Sequence, residues 1–524
     1  MAPHTERSED REVSRRRLLQ LTGITALSTT ALPIVSGLVR AASLPEEQLR
    51  LCYMPATEQL EKFKTKELSP VEVIKAQLAR SEAVEGKVNN FIQLYPEEAI
   101  EAAKASEARY MTGESLPLDG ITCAVKDELA IKGKPLTAGS RILADNISEK
   151  NDPLVDRLLD DGAILHGITT VPEMYFAGVT WTDLWGVTRN PWNTEYTVGG
   201  SSGGSGGALA AGQSTIATGS DMGGSIRIPA AFCGCYGFKP PYGRIPASLG
   251  ATFLFPSTSG PMARNLKDLI LMQNNMAGPT PQSLTALRPK LVLPLEYPHI
   301  KGMKIAYSVD QGWAEVEPET RAAFMTAIEV LSSQGAIVEE VDLGLGMTGN
   351  MMRLTLTQAL LSGSFGGQLK ELVAYADSMT SYGRYFAEIA ATGMGPDEAL
   401  EAANTQEELN LRIQEAVFNN GYTALLEPTL NTSRLPADYD PTADTLMING
   451  KVVDPHVGAF QTPLWNLLNW HPVLNVPIGL TSYNMPVGMQ IIANTFEDAV
   501  CMQVAAAYEP HGPRFFAGGK IPEV

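Results

Sequence analysis

Apolar positions recur along this chain at helical spacing and in short runs. In "SPVEVIKAQLARSEA", Val71, Ile74 and Leu78 are spaced for one face of a helix. Ser69 is placed to cap it and Pro70 to open it. In "GITCAVKDELAIKG" an apolar run reads as a buried strand that delivers Lys126 at its end. "DPLVDRLLDDGAILHGITT" predicts a helix, a turn at Gly162 and a strand. "KGMKIAYSVD" predicts a strand. "EPETRAAFMTAIEVLSSQGAIVEEVDL" then predicts a helix with Phe324, Ile328 and Leu331 on one face, closed by Gly335, and another strand. Strand and helix alternate through much of the chain, which predicts an α/β fold: a central mixed β-sheet flanked by helices on both faces. Residues 345–420 read as mostly helical. No solenoid-type repeat and no clean linker is present, so residues 42–524 read as one domain.

The first forty residues break this pattern. "SRRRLLQ" is followed by the moderately apolar "LTGITALSTTALPIVSGLV" and by small residues at Ala41 and Ala42. Residues 1–41 therefore read as an export signal, and the adjacent arginines resemble the twin-arginine type. A membrane anchor is the alternative, weakened by Pro33 and the many hydroxyls. The expectation is an exported protein, periplasmic or secreted, with no stable membrane association once the signal is gone. A net charge of −18 and an isoelectric point near 4.9 argue against nucleic acid as a partner. The five cysteines, Cys52, Cys123, Cys233, Cys235 and Cys501, are odd in number and scattered, which is no disulfide framework. Cys233 and Cys235 lack the second pair that a zinc site needs, so the thiols read as structural and no metal is expected.

Two serines stand in unusual surroundings. Ser201 lies in "TVGGSSGGSGG" and Ser225 in "GSDMGGSIRIPAAFCG". A glycine-serine run is often a flexible linker. Here both flanks are apolar and structured: Ala208–Ala211 favours helix and Thr215–Thr218 favours strand. Glycines also allow backbone N–H groups to approach an anion or a developing oxyanion, as "DMGGS" would. A serine nucleophile needs a base. His166, His299, His456, His471 and His511 lie in no nucleophile motif. Lys126 would serve if burial kept its amine neutral. "GGSSG" also fits the G-x-S-x-G elbow, which would make Ser201 the nucleophile, but no convincing C-terminal histidine accompanies it.

The long run "GGSSGGSGGALAAG" followed by "GSDMGGSIRIPAAFCGCYGFKP" closely resembles the amidase signature family of serine hydrolases. "AVKD" at Lys126, "WGVTRNPWN", "LLEPTL", "NWHPVLNVPIG" and "MPVGMQII" extend the likeness over most of residues 45–510. The resemblance implies a catalytic triad of Lys126, Ser201 and Ser225, with Ser225 as nucleophile and Ser201 following a cis peptide bond. It implies that N–H groups of Met222, Gly223, Gly224 and Ser225 hold the oxyanion, and that Ser202 caps a helix or bonds within the site. Asp221 and Arg227 are expected to brace the loop. No cofactor is implied. The partner is a small-molecule amide, and a homodimer is compatible with the reading. Thr170 departs from the family, which often has asparagine there. A non-catalytic binding protein on the same fold is the rival from another class. A glutamine-dependent amidotransferase-like subunit becomes the alternative if the export signal is misread. An apolar or aromatic acyl site is expected from Met351, Met352, Phe365, Tyr382, Tyr385, Phe386, Tyr439, Phe460 and Trp465, with Trp181 and Trp185.

Overall fold

The helix expected after Ser69 forms over Pro70–Val88, closed at its start by a capping box in which Glu72 answers Ser69. A computed structural model describes residues 44–247, 251–345, 370–392, 395–517 and 520–524. The export-signal reading of residues 1–41, and Met351, Met352 and Phe365, lie outside the described residues. Eleven strands join one sheet. In chain order they are β1 (Phe91–Leu94), β2 (Thr122–Lys126), β3 (Ile164–Thr169), β4 (Ile216–Asp221), β5 (Tyr236–Lys239) and β6 (Thr258–Ala263). The second half supplies β7 (Lys304–Tyr307), β8 (Ile337–Glu340), β9 (Ala424–Pro428), β10 (Val473–Leu480) and β11 (Pro486–Ala493). Their spatial order is β1-β3-β2-β4-β6-β5-β10-β11-β9-β7-β8. β2 runs parallel to β3 and β4, whereas β4–β6, β5–β6 and β10–β11 are antiparallel, so the sheet is mixed as expected.

Both faces of the sheet are covered, and alternation along single strands shows it. Cys123 and Val125 enter one apolar core while Ala124 enters another. Leu426 and Ile491 enter the first, Leu425 and Ile492 a third. Successive side chains of a strand point to opposite faces, so a strand buried on both sides feeds two cores. The helices Leu266–Met276, Pro318–Ser333 and Asp498–Tyr508 contribute to the first core. Gly203–Ala210 and Arg227–Cys233 contribute to the second. Among the described residues no helix is long and apolar enough to cross a membrane.

One local prediction is corrected. The sequence favours helix at Ala208–Ala211 and predicts none in the glycine run before it. The helix begins at Gly203, inside the run, and all eight of its residues are buried. Packing overrides the low helix propensity of glycine here. A Cβ at Gly204 would collide with Asn90 O and Thr170 N, and one at Gly207 with the Asn90 side chain. The missing side chains let this helix lie directly against the backbone beyond β3. Of residues 345–420, those described include the helices Ser381–Thr392 and Pro396–Ala416.

Candidate active site

Lys126 is the last residue of β2, and Asp221 is the last of its parallel neighbour β4. Strand C-terminal ends in α/β sheets are where ligand sites are usually built. Register sets the contacts. The Lys126 N–H donates to Thr218 Oγ1 (2.9 Å), and Lys126 Nζ donates to Ser220 Oγ (2.6 Å), two residues further along β4. Nζ also donates to Ser201 Oγ at 2.8 Å. A tight turn, Glu128 N–H to Lys126 O, brings the Glu128 carboxylate to 2.9 Å from the same nitrogen. Ser220 Oγ in turn donates to Glu128. Lys126 is only 1% exposed, and Tyr175 covers it with its ring face, 5.1 Å away. Burial pushes the Lys126 ammonium down from its usual range, while the carboxylates of Glu128, Asp221 and Asp127 pull it back.

The two serine segments are stitched together. Ser202 N–H donates to Ser225 O (3.1 Å), and the Ser202 hydroxyl lies on the Ser220 backbone, 3.3 Å from N and 3.4 Å from O. Ser202 is fully buried, and its hydroxyl makes no bond to the helix it precedes. It joins the two segments and does not face solvent. The Gly200–Ser201 peptide bond is cis. Ser225 is partly exposed.

The loop leading to Ser225 is held by a buried ion pair. Asp221 accepts from Arg227 Nε and Nη2 (both 2.9 Å), from Gly224 N–H (2.8 Å) and from Asn466 Nδ2 (2.8 Å). Burial alone would raise the Asp221 carboxyl; Arg227 outweighs it and holds the group well below the usual carboxylate range. Arg227 also donates to Thr462 O, Gln490 and Asn466. The expected bracing by Asp221 and Arg227 is what these bonds do. Thr462 Oγ1 donates to Gly223 O at 2.6 Å. Gly224 has φ +125°, and a Cβ there would strike Thr462 Oγ1, so only glycine fits. The geometry changes one expected role. The Gly224 N–H is occupied by Asp221, leaving those of Met222, Gly223 and Ser225, which take no protein acceptor among the described residues.

Other candidates separate clearly. His166 lies on Gln213 O and His471 on Ala493 O, and burial lowers both to about 4, away from the serines. All five cysteines are buried and unpaired, with the Cys123 thiol pushed up by burial to about 12. Thr170 bonds Thr188 (2.8 Å) and receives Gly204 N–H at its carbonyl (3.1 Å), joining the glycine helix to the β3 end. Tyr382, Tyr439 and Phe460 share an apolar core with Ile226 and Ile228, the neighbours of Ser225, and Trp181 packs against it. Trp465 sits in a different core, on Glu427. Tyr385 is exposed and stacks on His456. Trp185 Nε1 donates to Thr137, which holds the Asp127 carboxylate beside Lys126.

Comparison with known proteins identifies the family. The family model described as Amidase matches residues 72–502. The chain is 32% identical to an acylamidase of Rhodococcus erythropolis over 88% of its own length and 96% of that protein. It is 33% identical to a glutamyl-tRNA(Gln) amidotransferase subunit of Chloroflexus aggregans, over 84% of this chain and 93% of that protein. Among solved structures it resembles a bacterial aryl acylamidase of the amidase signature family, with a TM-score of 0.77, 29% identity, and coverage of 87% and 96%.

Proposed function

The chain belongs to the amidase signature family and is an amide-hydrolysing enzyme, and from that premise we propose that hydrolysis runs through an acyl-enzyme on Ser225. The observation that carries the proposal is the 2.8 Å bond from buried Lys126 to Ser201, whose neighbour Ser202 is tied to the Ser225 backbone. In the reactive state Lys126 is neutral. Its amine takes the Ser201 proton as Ser201 takes that of Ser225, and Ser225 Oγ bonds to the amide carbon. The N–H groups of Met222, Gly223 and Ser225 hold the negative oxygen. The proton returns along the relay to the leaving nitrogen as the C–N bond breaks. Water enters by the same relay, cleaves the ester and frees the acid.

The acyl group lies toward the apolar core that holds Tyr382, Tyr439 and Phe460. This favours acylated amines or anilides, a reading supported by the likeness to an acylamidase and an aryl acylamidase. Residues 1–41 direct export, a reading supported by their charge and hydropathy order. The likeness to amidotransferase subunits favours a second reading, delivery of ammonia within a multi-subunit complex. The export signal read in residues 1–41 argues against it.

A fluorophosphonate probe on residues 42–524, followed by peptide mass spectrometry, tests the nucleophile. The expected adduct is on Ser225. Ser225→Ala loses both the label and chromogenic anilide turnover, with rates down on the order of 10⁵-fold. An adduct on Ser201, or near-normal turnover by Ser225→Ala, overturns the assignment.

A further inference from the structure

A lysine ammonium has three donors, and all three are used here. Nζ meets Ser201 Oγ at 2.8 Å, Ser220 Oγ at 2.6 Å and Glu128 Oε2 at 2.9 Å. This is the bonding of a protonated lysine. To accept a proton from Ser201, Nζ must first release one and turn its lone pair toward that hydroxyl. The charged groups around it are not equivalent. Asp221 is satisfied by Arg227. The Asp127 carboxylate is turned onto Thr137 and Gly139. Tyr175 presents its ring face, and its hydroxyl donates to Asp127 O. Glu128 is the carboxylate in direct contact. Its side chain is 20% exposed, against 1% for Lys126, so it also links the buried amine to solvent.

We infer that Glu128 is a positioning residue that sets the pH at which Lys126 becomes a base, by holding its ammonium together with the Ser220 hydroxyl. The inference rests on Lys126 being the base, as proposed above. A neighbouring carboxylate favours the charged lysine and so raises the pH needed to deprotonate it. Removing that charge lets the neutral amine form at lower pH. Glu128→Gln keeps the size and an accepting oxygen but removes the charge.

The test is the pH dependence of the rate at which a fluorophosphonate probe labels Ser225, measured for the wild type, Glu128→Gln, Glu128→Asp and Lys126→Ala. This readout needs no knowledge of the natural substrate. The midpoint of the acidic limb in Glu128→Gln is expected to fall by about one pH unit or more, with the alkaline plateau kept within a few-fold. Glu128→Asp, which retains the charge, is expected to restore a limb near the wild type's. A limb that does not move, or a uniform loss at every pH, overturns the inference and leaves Glu128 a merely structural residue. Lys126→Ala with the wild-type rate and profile overturns the base assignment itself, and this inference with it. An inert Lys126→Ala beside an unmoved Glu128→Gln sinks only the role of Glu128.

Discussion

Ser220 and Asp221 are consecutive residues of one strand, yet they serve two ion pairs of opposite character. Asp221 joins Arg227, with both side chains at 0% exposure. Ser220 joins Lys126 and Glu128, at 1% and 20%. In the first cluster the planar guanidinium meets four partners, Asp221, Asn466, Gln490 and Thr462 O, and cannot lose a proton in the working pH range. In the second a flexible ammonium meets two hydroxyls and a carboxylate that reaches solvent. Arginine gives a fixed charge that shapes the loop before Ser225. Lysine gives a charge that can leave, and its surroundings decide at what pH. One strand end thus supplies both the rigid half and the titratable half of the site.

Of the two clusters, the titratable one carries the larger expected effect on rate. Lys126→Ala removes the proposed base and is expected to slow turnover on the order of 10³-fold. It leaves behind one carboxylate, Glu128, which reaches solvent and can rehydrate. The loss of stability in urea is therefore expected to be that of a small buried cavity, less than the loss from breaking the fully buried Asp221–Arg227 pair. A large loss of stability with little loss of rate would reverse the roles assigned to the two clusters.

The rigid half is expected to fail in the opposite way. Arg227→Ala leaves Asp221 charged, at 0% exposure and without its main partner. Breaking a buried pair on one side typically costs about 3–5 kcal/mol. Urea unfolding should show a loss of that size. The double variant Asp221→Ala with Arg227→Ala should recover part of it, because no unpaired charge then remains. Equal loss in the single and double variants would mean that the pair's worth is packing alone.

The two halves also differ in how far the sequence revealed them. Lys126, Ser201 and Ser225 were singled out because the family-like segments "AVKD", "GGSSGGSGG" and "DMGGSIR" hold them, and Asp221 and Arg227 because they stand on either side of Ser225 within the last of these runs. The alternating strands and helices were legible from periodicity, including Pro70–Val88 and Pro318–Ser333. Glu128 and Ser220 were missed, although both stand inside stretches already singled out. A signal for Ser220 existed. With Lys126 ending β2, residues two apart on its parallel neighbour, Thr218 and Ser220, meet its N–H and its Nζ in turn. Glu128 gave less, because its approach depends on a turn that follows the strand. The helix in the glycine run was hidden because close backbone packing, not propensity, creates it. Thr462 gave no local signal: it lies far along the chain, and only the tertiary fold brings it to Gly223.

That residue offers the smallest test, and it probes the border between the halves. The Gly223–Gly224 peptide is clamped at both ends: Thr462 Oγ1 donates to its oxygen (2.6 Å), and its N–H donates to Asp221 (2.8 Å). The peptides on either side present the Gly223 and Ser225 N–H groups proposed to hold the oxyanion. Thr462→Val keeps the shape and removes one clamp, leaving the Gly223 oxygen without this partner. A neutral hydrogen bond of this kind is worth about 1 kcal/mol, so stability should fall only by that amount. If the clamp positions the oxyanion donors, the same variant should lose roughly tenfold in kcat with KM little changed, because only the transition state uses those groups fully. A KM effect at constant kcat would instead place Thr462 in ground-state binding. An unchanged kcat/KM would show that Asp221 and Arg227 hold the loop without help from Thr462.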